Sequence, residues 1–312
     1  MGLKIIIHNK KGFFFTVSAI FILSLFILGY GIYQMTNDRT PINKRIDSLN
    51  DFMAFYEKDL PRQIYITGFR SIFLAEKSIV ITGNPVNNIS AMLSEAFFNG
   101  TMNGEHQELI VGARLSDLQR SLSLNSRIMN LNGSLNARSI SITQEDPWNV
   151  LITLDANIYI YDLEGLAYIN TTKNITTYIP INNFEDPLYV IYTGGIITNK
   201  IKKTIFLPFV TGSDVTNLIN HAKNSSYIDS TLAPSFLDRI EGRITPSPYG
   251  IESLVDAQRL SLQSIPVRIT SCVDYIYLVN NITTSHQIQG MPSWFRLDDA
   301  HLDMYNVTGL VI

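Results

Sequence analysis

Cysteine is nearly absent from this chain. Its 312 residues hold one, Cys272, which excludes an internal disulfide framework and any cysteine-rich zinc site. Charge is sparse as well: charged residues make up 16% of the chain, against roughly 25% in soluble domains. The five histidines (His8, His106, His221, His286 and His301) are scattered. There is no Gly-rich phosphate loop ending in Lys-Ser/Thr, no His-Glu-x-x-His pair and no Gly-x-Ser-x-Gly elbow. The Asp-x-Asp pair with which glycosyltransferases hold a metal–nucleotide is missing too. Tandem repeats and low-complexity runs are also lacking. Nothing in the motifs calls for a cofactor, and the expectation is a non-enzymatic protein.

Apolar residues are plentiful, at 46%, so most of the chain has enough surface to bury and escapes disorder. The net charge of −3 is unevenly spread. Residues 1–36 carry Lys4, Lys10 and Lys11 and no acid, which leaves the remainder net negative by 6. A net-negative body does not suit nucleic acid, whose phosphates need clustered Lys and Arg.

One long run stands apart. Residues 12–36 read GFFFTVSAIFILSLFILGYGIYQMT, and no charge falls between Lys11 and Asp38. A membrane span needs about 20 apolar residues, so this run predicts a transmembrane helix in contact with the lipid bilayer. The lysines before it place residues 1–11 in the cytoplasm as a short leader. The body then lies on the far side of the cell membrane, outside the cytoplasm. Tyr30 and Tyr33 fall at the far interface. A cleaved secretory signal is the alternative, with Gly29-Tyr-Gly31 as the cleavage site, but the apolar core is longer than the usual 7–15 residues.

The junction Lys10-Lys11-Gly12-Phe13-Phe14-Phe15-Thr16 resembles the class III signal of archaeal type IV pilin-like proteins. That resemblance implies processing by a prepilin peptidase after Gly12, leaving Phe13 first. Val17 stands at the fifth mature position, where many pilins carry Glu. The resemblance therefore supports export and anchoring better than filament assembly. An ordinary uncleaved anchor is the alternative. Other segments point the same way: Asp146-Pro-Trp148, Phe184-Glu-Asp-Pro-Leu-Tyr189, Pro234-Ser-Phe-Leu-Asp-Arg239, Tyr249-Gly-Ile-Glu-Ser-Leu-Val255, Val273-Asp-Tyr-Ile-Tyr277 and Met291-Pro-Ser-Trp-Phe-Arg-Leu-Asp298. Together they resemble uncharacterised membrane-anchored proteins of small-genome archaea that begin with such a leader. The resemblance brings no activity with it.

Beyond the span, Asp38-Arg-Thr-Pro41 reads as a polar joint. Ile42, Ile46, Leu49, Met53, Tyr56 and Leu60 recur at helical spacing. Pro61 should break or kink this helix. Residues 62–81 and 89–98 predict further helices around a Gly83-Asn84-Pro85 turn. Leu115, Leu118, Leu122 and Met129 predict another. Residues 37–135 therefore read as a helical stalk. From 136 to 312 the texture is β-rich. Val150, Ile152, Leu154, Ala156, Ile158 and Ile160 alternate with Leu151, Thr153, Asp155, Asn157, Tyr159 and Tyr161, a strand signal. Asp162-Leu-Glu-Gly165 predicts a turn and Ala167–Ile181 an antiparallel return. Leu188–Thr193, Ile196–Leu207, Val267–Val279 and Tyr305–Ile312 look like further strands. Ser213 and Asp214 can cap a helix running through His221, and Pro234 and Gly242 can bracket another. The expected class is α+β: a transmembrane helix and helical stalk, then an antiparallel sheet domain with short helices.

Asn-x-Ser/Thr sequons begin at Asn88, Asn99, Asn132, Asn170, Asn174, Asn224, Asn281 and Asn306. All lie beyond the span, and eight is about twice what composition predicts, so the chain reads as a glycoprotein. The loops Asn170–Thr177 and Asn281–Ser285 are the favoured positions. The best metal-like cluster is Asp298-Asp299-Ala-His301-Leu-Asp303. In an extended strand Asp299, His301 and Asp303 would share one face at about 7 Å steps and could hold a divalent ion; ordinary solvated acids are the alternative. Cys272 lies in an apolar run without a nearby base and reads as buried and structural. Trp148 and Trp294 adjoin prolines and read as core or turn anchors. Tyr159, Tyr161, Tyr275 and Tyr277 read as sheet packing. The leading expectation is a surface protein for adhesion, structure or partner contact, with other surface or pilin-like proteins as candidate partners. A membrane-tethered envelope hydrolase using Asp298, Asp299 and Asp303, and a minor pilus subunit, are the alternatives.

Overall fold

The computed structural model describes the backbone from Lys10 to Ile312, and side chains from Phe14 to Met35 and from Ile42 onward. The leader of residues 1–11 and the Gly12–Phe13 junction lie outside the described side chains.

The first element, α1 (Lys10–Thr82), is one helix of 73 residues, about 110 Å long at 1.5 Å per residue. Its first part, Phe14–Met35, is long and apolar enough to cross a membrane and buries nothing within the fold. Its later part packs. Leu49, Phe52, Met53, Tyr56, Leu60, Ile64, Ile72, Ala75 and Ile79 are all buried, at steps of three and four residues apart from the adjacent pair Phe52–Met53 and one longer gap. The joint at Asp38–Pro41 and the break at Pro61 do not appear, because the helix runs through both prolines. Pro61 forfeits one backbone donor. Leu60 and Ile64 beside it are buried, and their packing outweighs that local loss.

Gly83, at φ +68°, ends the helix as expected. Next come α2 (Ile89–Asn99), a small hairpin of β1 (Thr101–Met102) and β2 (Glu105–His106), and α3 (Leu115–Ile128). Three long strands follow, β3 (Leu131–Asp146), β4 (Asn149–Asp162) and β5 (Tyr168–Pro180), forming an antiparallel sheet with β4 central. Strand β3 thus begins before residue 136, inside the range read as stalk. The inward residues of β4, from Val150 to Ile160 in steps of two, are at most 0% exposed, as their alternation predicts.

The sheet lies along α1. A Cβ on Gly68 would stand 2.6 Å from Ile152 Cγ1 and 2.7 Å from Ile179 Cδ1, so glycine permits the approach. Lys173 of β5 pairs with Glu57 at 3.1 Å, and Arg45 reaches Glu164 in the β4–β5 turn at 2.8 Å. That turn therefore points toward the apolar part of α1. The first hydrophobic core is built from α1, α2, α3 and the inner sheet face.

Beyond the sheet, Phe236, Leu237, Ile240 and Ile251 join the first core and most of the rest gathers in a second; the elements here are short pieces. They are α4 (Pro187–Tyr192), α5 (Thr216–Asn224), β6 (Tyr227–Asp229), α6 (Phe236–Ile240), β7 (Ile251–Ser253), α7 (Ala257–Leu262), α8 (Asp274–Tyr277), β8 (Ser285–Gln287) and β9 (Arg296–Asp298). Here the strand expectations need correction. Leu188–Thr193 is helix α4, capped by Asp186, whose carboxylate accepts from Leu188 N, with Pro187 in the first turn. Val267–Val279 is loop and α8, Tyr305–Ile312 is turns and a short 3-10 helix, and Ile196–Leu207 is irregular with isolated bridges. The helices expected near His221 and between Pro234 and Gly242 are present as α5 and α6. The α+β class stands, with the regular sheet confined to β3–β5.

Candidate functional site

Asp299, His301 and Asp303 do not share a strand face. Asp299–His301 form a 3-10 turn, which sends the three apart. Asp299 is exposed and meets His286 Nε2 at 2.7 Å, while Asp303 accepts from Thr308 Oγ1 at 2.5 Å. His301 turns inward, with Nδ1 2.8 Å from Asp298 Oδ1 and Nε2 3.1 Å from Tyr275 Oη. Glu252 Oε2 is 3.3 Å from the same Nε2. Tyr305 donates to Glu252 Oε1 at 2.9 Å. Burial lowers the imidazole pKa, but Asp298 and Glu252 more than offset it and raise it to about 10. His301 is therefore a buried cation between two acids. Among the described residues no group of three or more His, Cys, Asp or Glu side chains is arranged to hold a metal ion.

A second buried cluster adjoins the first through consecutive residues of β7 and α8. Arg239 of α6 is fully buried. Its Nη1 donates to Asp186 Oδ2 at 2.6 Å and to Asp274 Oδ2 at 3.0 Å. Tyr227 donates to Asp186 at 2.7 Å, and Ser253 donates to Asp274 through both backbone N and Oγ. Burial disfavours the guanidinium charge, yet the two carboxylates hold its pKa above the ordinary arginine value. These groups join α4, β6, α6, β7 and α8, elements too short to hold together by backbone pairing alone. The sequence did not announce the cluster, because Asp186 and Asp274 lie 53 and 35 positions from Arg239.

Other single residues follow. Cys272 is buried and its thiol is pushed up to about 12 by burial, so it is not a nucleophile. His221 is held neutral, its pKa lowered to about 3 by burial. Trp148 sits half-buried in the β3–β4 turn with Lys203 Nζ 4.9 Å above its ring. Trp294 is half-buried against Phe295. Tyr275 and Tyr277 belong to helix α8, not to a strand, whereas Tyr159 and Tyr161 do stand on the sheet. Seven sequon asparagines are exposed, and Asn132 is half-buried. The segment Asn170–Thr177 is part of strand β5 rather than a loop.

The open surfaces lie elsewhere. A cleft of about 260 Å³ sits between the end of α1, α2 and the β1–β2 hairpin, lined by Ser78, Val86, Asn87, Met92, Glu95 and Asn103 among others. Beside it a hollow of about 370 Å³ reaches Lys77, Thr82, Glu105 and Gln107. Glu95 anchors the hairpin by accepting from Gly104 N at 2.8 Å and Thr101 Oγ1 at 2.7 Å, which holds its carboxyl below the usual range. An apolar groove of about 390 Å³ runs between α1 and the end of α3, past Phe52, Phe55, Ile128 and Met129. Chemically, the charged groups with strongly shifted behaviour are interior and mutually engaged, while the cleft and the groove offer contact surface.

No protein family, curated protein or solved structure matches the chain.

Proposed function

We propose that the chain is a single-pass, membrane-anchored surface protein whose body stands outside the cytoplasm and serves adhesion, surface structure or partner contact rather than catalysis. The observation that carries this is the continuity of α1: one helix holds an unburied apolar segment, Phe14–Met35, and a segment packed against the sheet. An apolar segment of that length left bare needs lipid or another apolar partner. Lys10 and Lys11 sit directly at the start of the apolar run, which supports the outward orientation. The distal cleft beside Ser78 and the groove beside Phe55 are the surfaces for partners, among them other surface proteins. The acids that a hydrolase would use do not converge on an open cleft, since Asp298 is tied to buried His301 and Asp299 and Asp303 point elsewhere. A long helix, bare in one part and sheet-packed in the other, also supports the pilin-like anchor and keeps the minor pilus subunit as a second reading.

The test uses intact cells. Added protease should remove epitopes C-terminal of residue 40, while the span stays in the membrane pellet after alkaline extraction. Epitopes that survive while a control surface protein is digested would overturn the orientation. Intact-mass measurement of the extracted chain decides the anchor type. A start at Phe13 supports processing after Gly12, a retained Met1 or Gly2 an ordinary anchor, and Ile32 a secretory signal.

A further inference from the structure

Among the described residues, no element packs over the tyrosines on the outward face of the β3–β5 sheet, and three sequons stand on it. The register sets this out. Tyr161 of β4 lies opposite Asn132 and Tyr168, Tyr159 lies opposite Asn170, and Asp155 lies opposite Asn174. These β4 residues alternate with the buried ones, so their strand partners share the outer face. Its acid, Asp155, pairs with Arg138 at 3.8 Å. The rest of the face around Asn170 is amide, hydroxyl and tyrosine, a surface without unpaired charge that complements a neutral, hydroxyl-rich ligand.

We propose that this face carries sugar: Asn170 bears an N-linked glycan, and Tyr159, Tyr161 and Tyr168 form the shelf on which its first residues lie. The proposal rests on the outward orientation argued above. Asn170 stands directly across from Tyr159 and two positions from Tyr168, about 7 Å along the strand. The three rings form one cluster, with Tyr159 centred 5.4 Å from Tyr161 and 6.1 Å from Tyr168. Tyr168 is 70% exposed. Broad, rigid aromatic faces bind at low cost in conformational freedom, and their hydroxyls can meet the edges of a sugar. Asn157 Nδ2 donates to Asn170 Oδ1 at 2.9 Å, which orients the amide while leaving its own nitrogen outside that bond. Asn132 differs: its nitrogen is spent on Tyr161 Oη at 2.6 Å. Asn174 is exposed but stands across from Asp155, away from the tyrosine shelf.

The covalent step needs a lipid-phosphate-linked oligosaccharide and a membrane oligosaccharyltransferase. The Asn170 Nδ2–C1 bond forms as the C1–O bond to the lipid phosphate breaks. The amide loses one proton to the transferase base, the phosphate leaves as an anion, and nothing is oxidised or reduced.

The experiment uses the full chain, made in a host that glycosylates a reporter sequon in the same membrane. Glycopeptide mass spectrometry should find Asn170 occupied more fully than Asn174 and Asn132 bare, and Thr172→Val should clear Asn170 alone. Against the same substitution in protein from a non-glycosylating bacterium, loss of the glycan should lower Tm by about 2–4 °C. With Tyr159→Ser and Tyr168→Ser in place, that difference should fall below half. A bare Asn170 beside an occupied Asn224 or Asn281 overturns the proposal, as does an equal Tm cost with and without the tyrosines. Asn170 bare, with tyrosine-dependent retention on a neutral polysaccharide column, assigns the face to a foreign glycan and also overturns it. If all sequons are bare while the reporter is modified, the proposal fails, and the protease assay on the same cells tells whether the orientation fails with it.

Discussion

Arg239 has no water to fall back on, so its two carboxylates are its solvent. Removing one partner of such a buried group costs more than the intact cluster contributes, because the remaining charges stay buried. Arg239→Met should therefore leave Asp186 and Asp274 facing each other uncompensated and lower stability by about 3–5 kcal/mol in urea unfolding. Adding Asp186→Asn and Asp274→Asn should restore part of the loss. An Arg239→Met midpoint equal to wild type would show that the cluster does not join these elements.

Above about pH 7, where His221 is neutral both folded and unfolded, two other interior groups set the pH response. His301 is raised from 6.5 to about 10, so its contribution is whole below pH 6.5 and is lost as pH rises through 10. Glu76 is raised from 4.5 to about 8, by burial first and then by Glu185. The folded state holds that proton where the unfolded state has released it, so this contribution also falls, between pH 4.5 and 8. Between pH 5 and 6.5 buried, neutral His221 opposes Glu76, because the unfolded chain binds the proton there, so Tm should decline from about pH 7 to 10. Glu76→Gln should flatten the part below 8 and leave the part above it. A Glu76→Gln profile parallel to wild type would remove Glu76 as the cause.

At the scale of elements, the central strand tests the packing directly. Ile152→Asp would bury a carboxylate against Gly68 of α1 and should cost several kcal/mol, while Thr153→Asp on the outer face should be mild. Comparable melting points would contradict the register. This strand was legible because a period of two sustained over twelve residues has no helical reading. Leu188–Thr193 was not, since a six-residue apolar run suits a buried helix as well as a strand. The deciding signal was Asp186-Pro187, a capping residue followed by a proline suited to the first turn. Pro61 misled in the opposite sense. Its local cost is real, but buried neighbours that pack on the sheet were invisible to a local rule. The metal-like acids failed for the same reason: their spacing was judged on a strand, and the backbone turns there.

At the scale of the whole molecule, the disagreement at Asp38–Pro41 has the largest consequence. On the proposed membrane anchor, a polar joint would let the body swing, whereas a continuous α1 would hold the distal cleft near Ser78 at a fixed height. Nitroxides at Leu25→Cys and Phe55→Cys separate these cases, because both positions are more than half exposed and tolerate a label. The native Cys272 is buried, with its thiol pushed up to about 12, and should stay unlabelled. Thirty residues of helix span about 45 Å. In lipid nanodiscs, dipolar spectroscopy should return one narrow distance near that value. A joint predicts shorter and broadly spread distances. A narrow peak that broadens only when two glycines replace Arg39 and Thr40 would tie the rigidity to helix continuity. A broad distribution in the unaltered chain would restore the joint and free the body from the anchor.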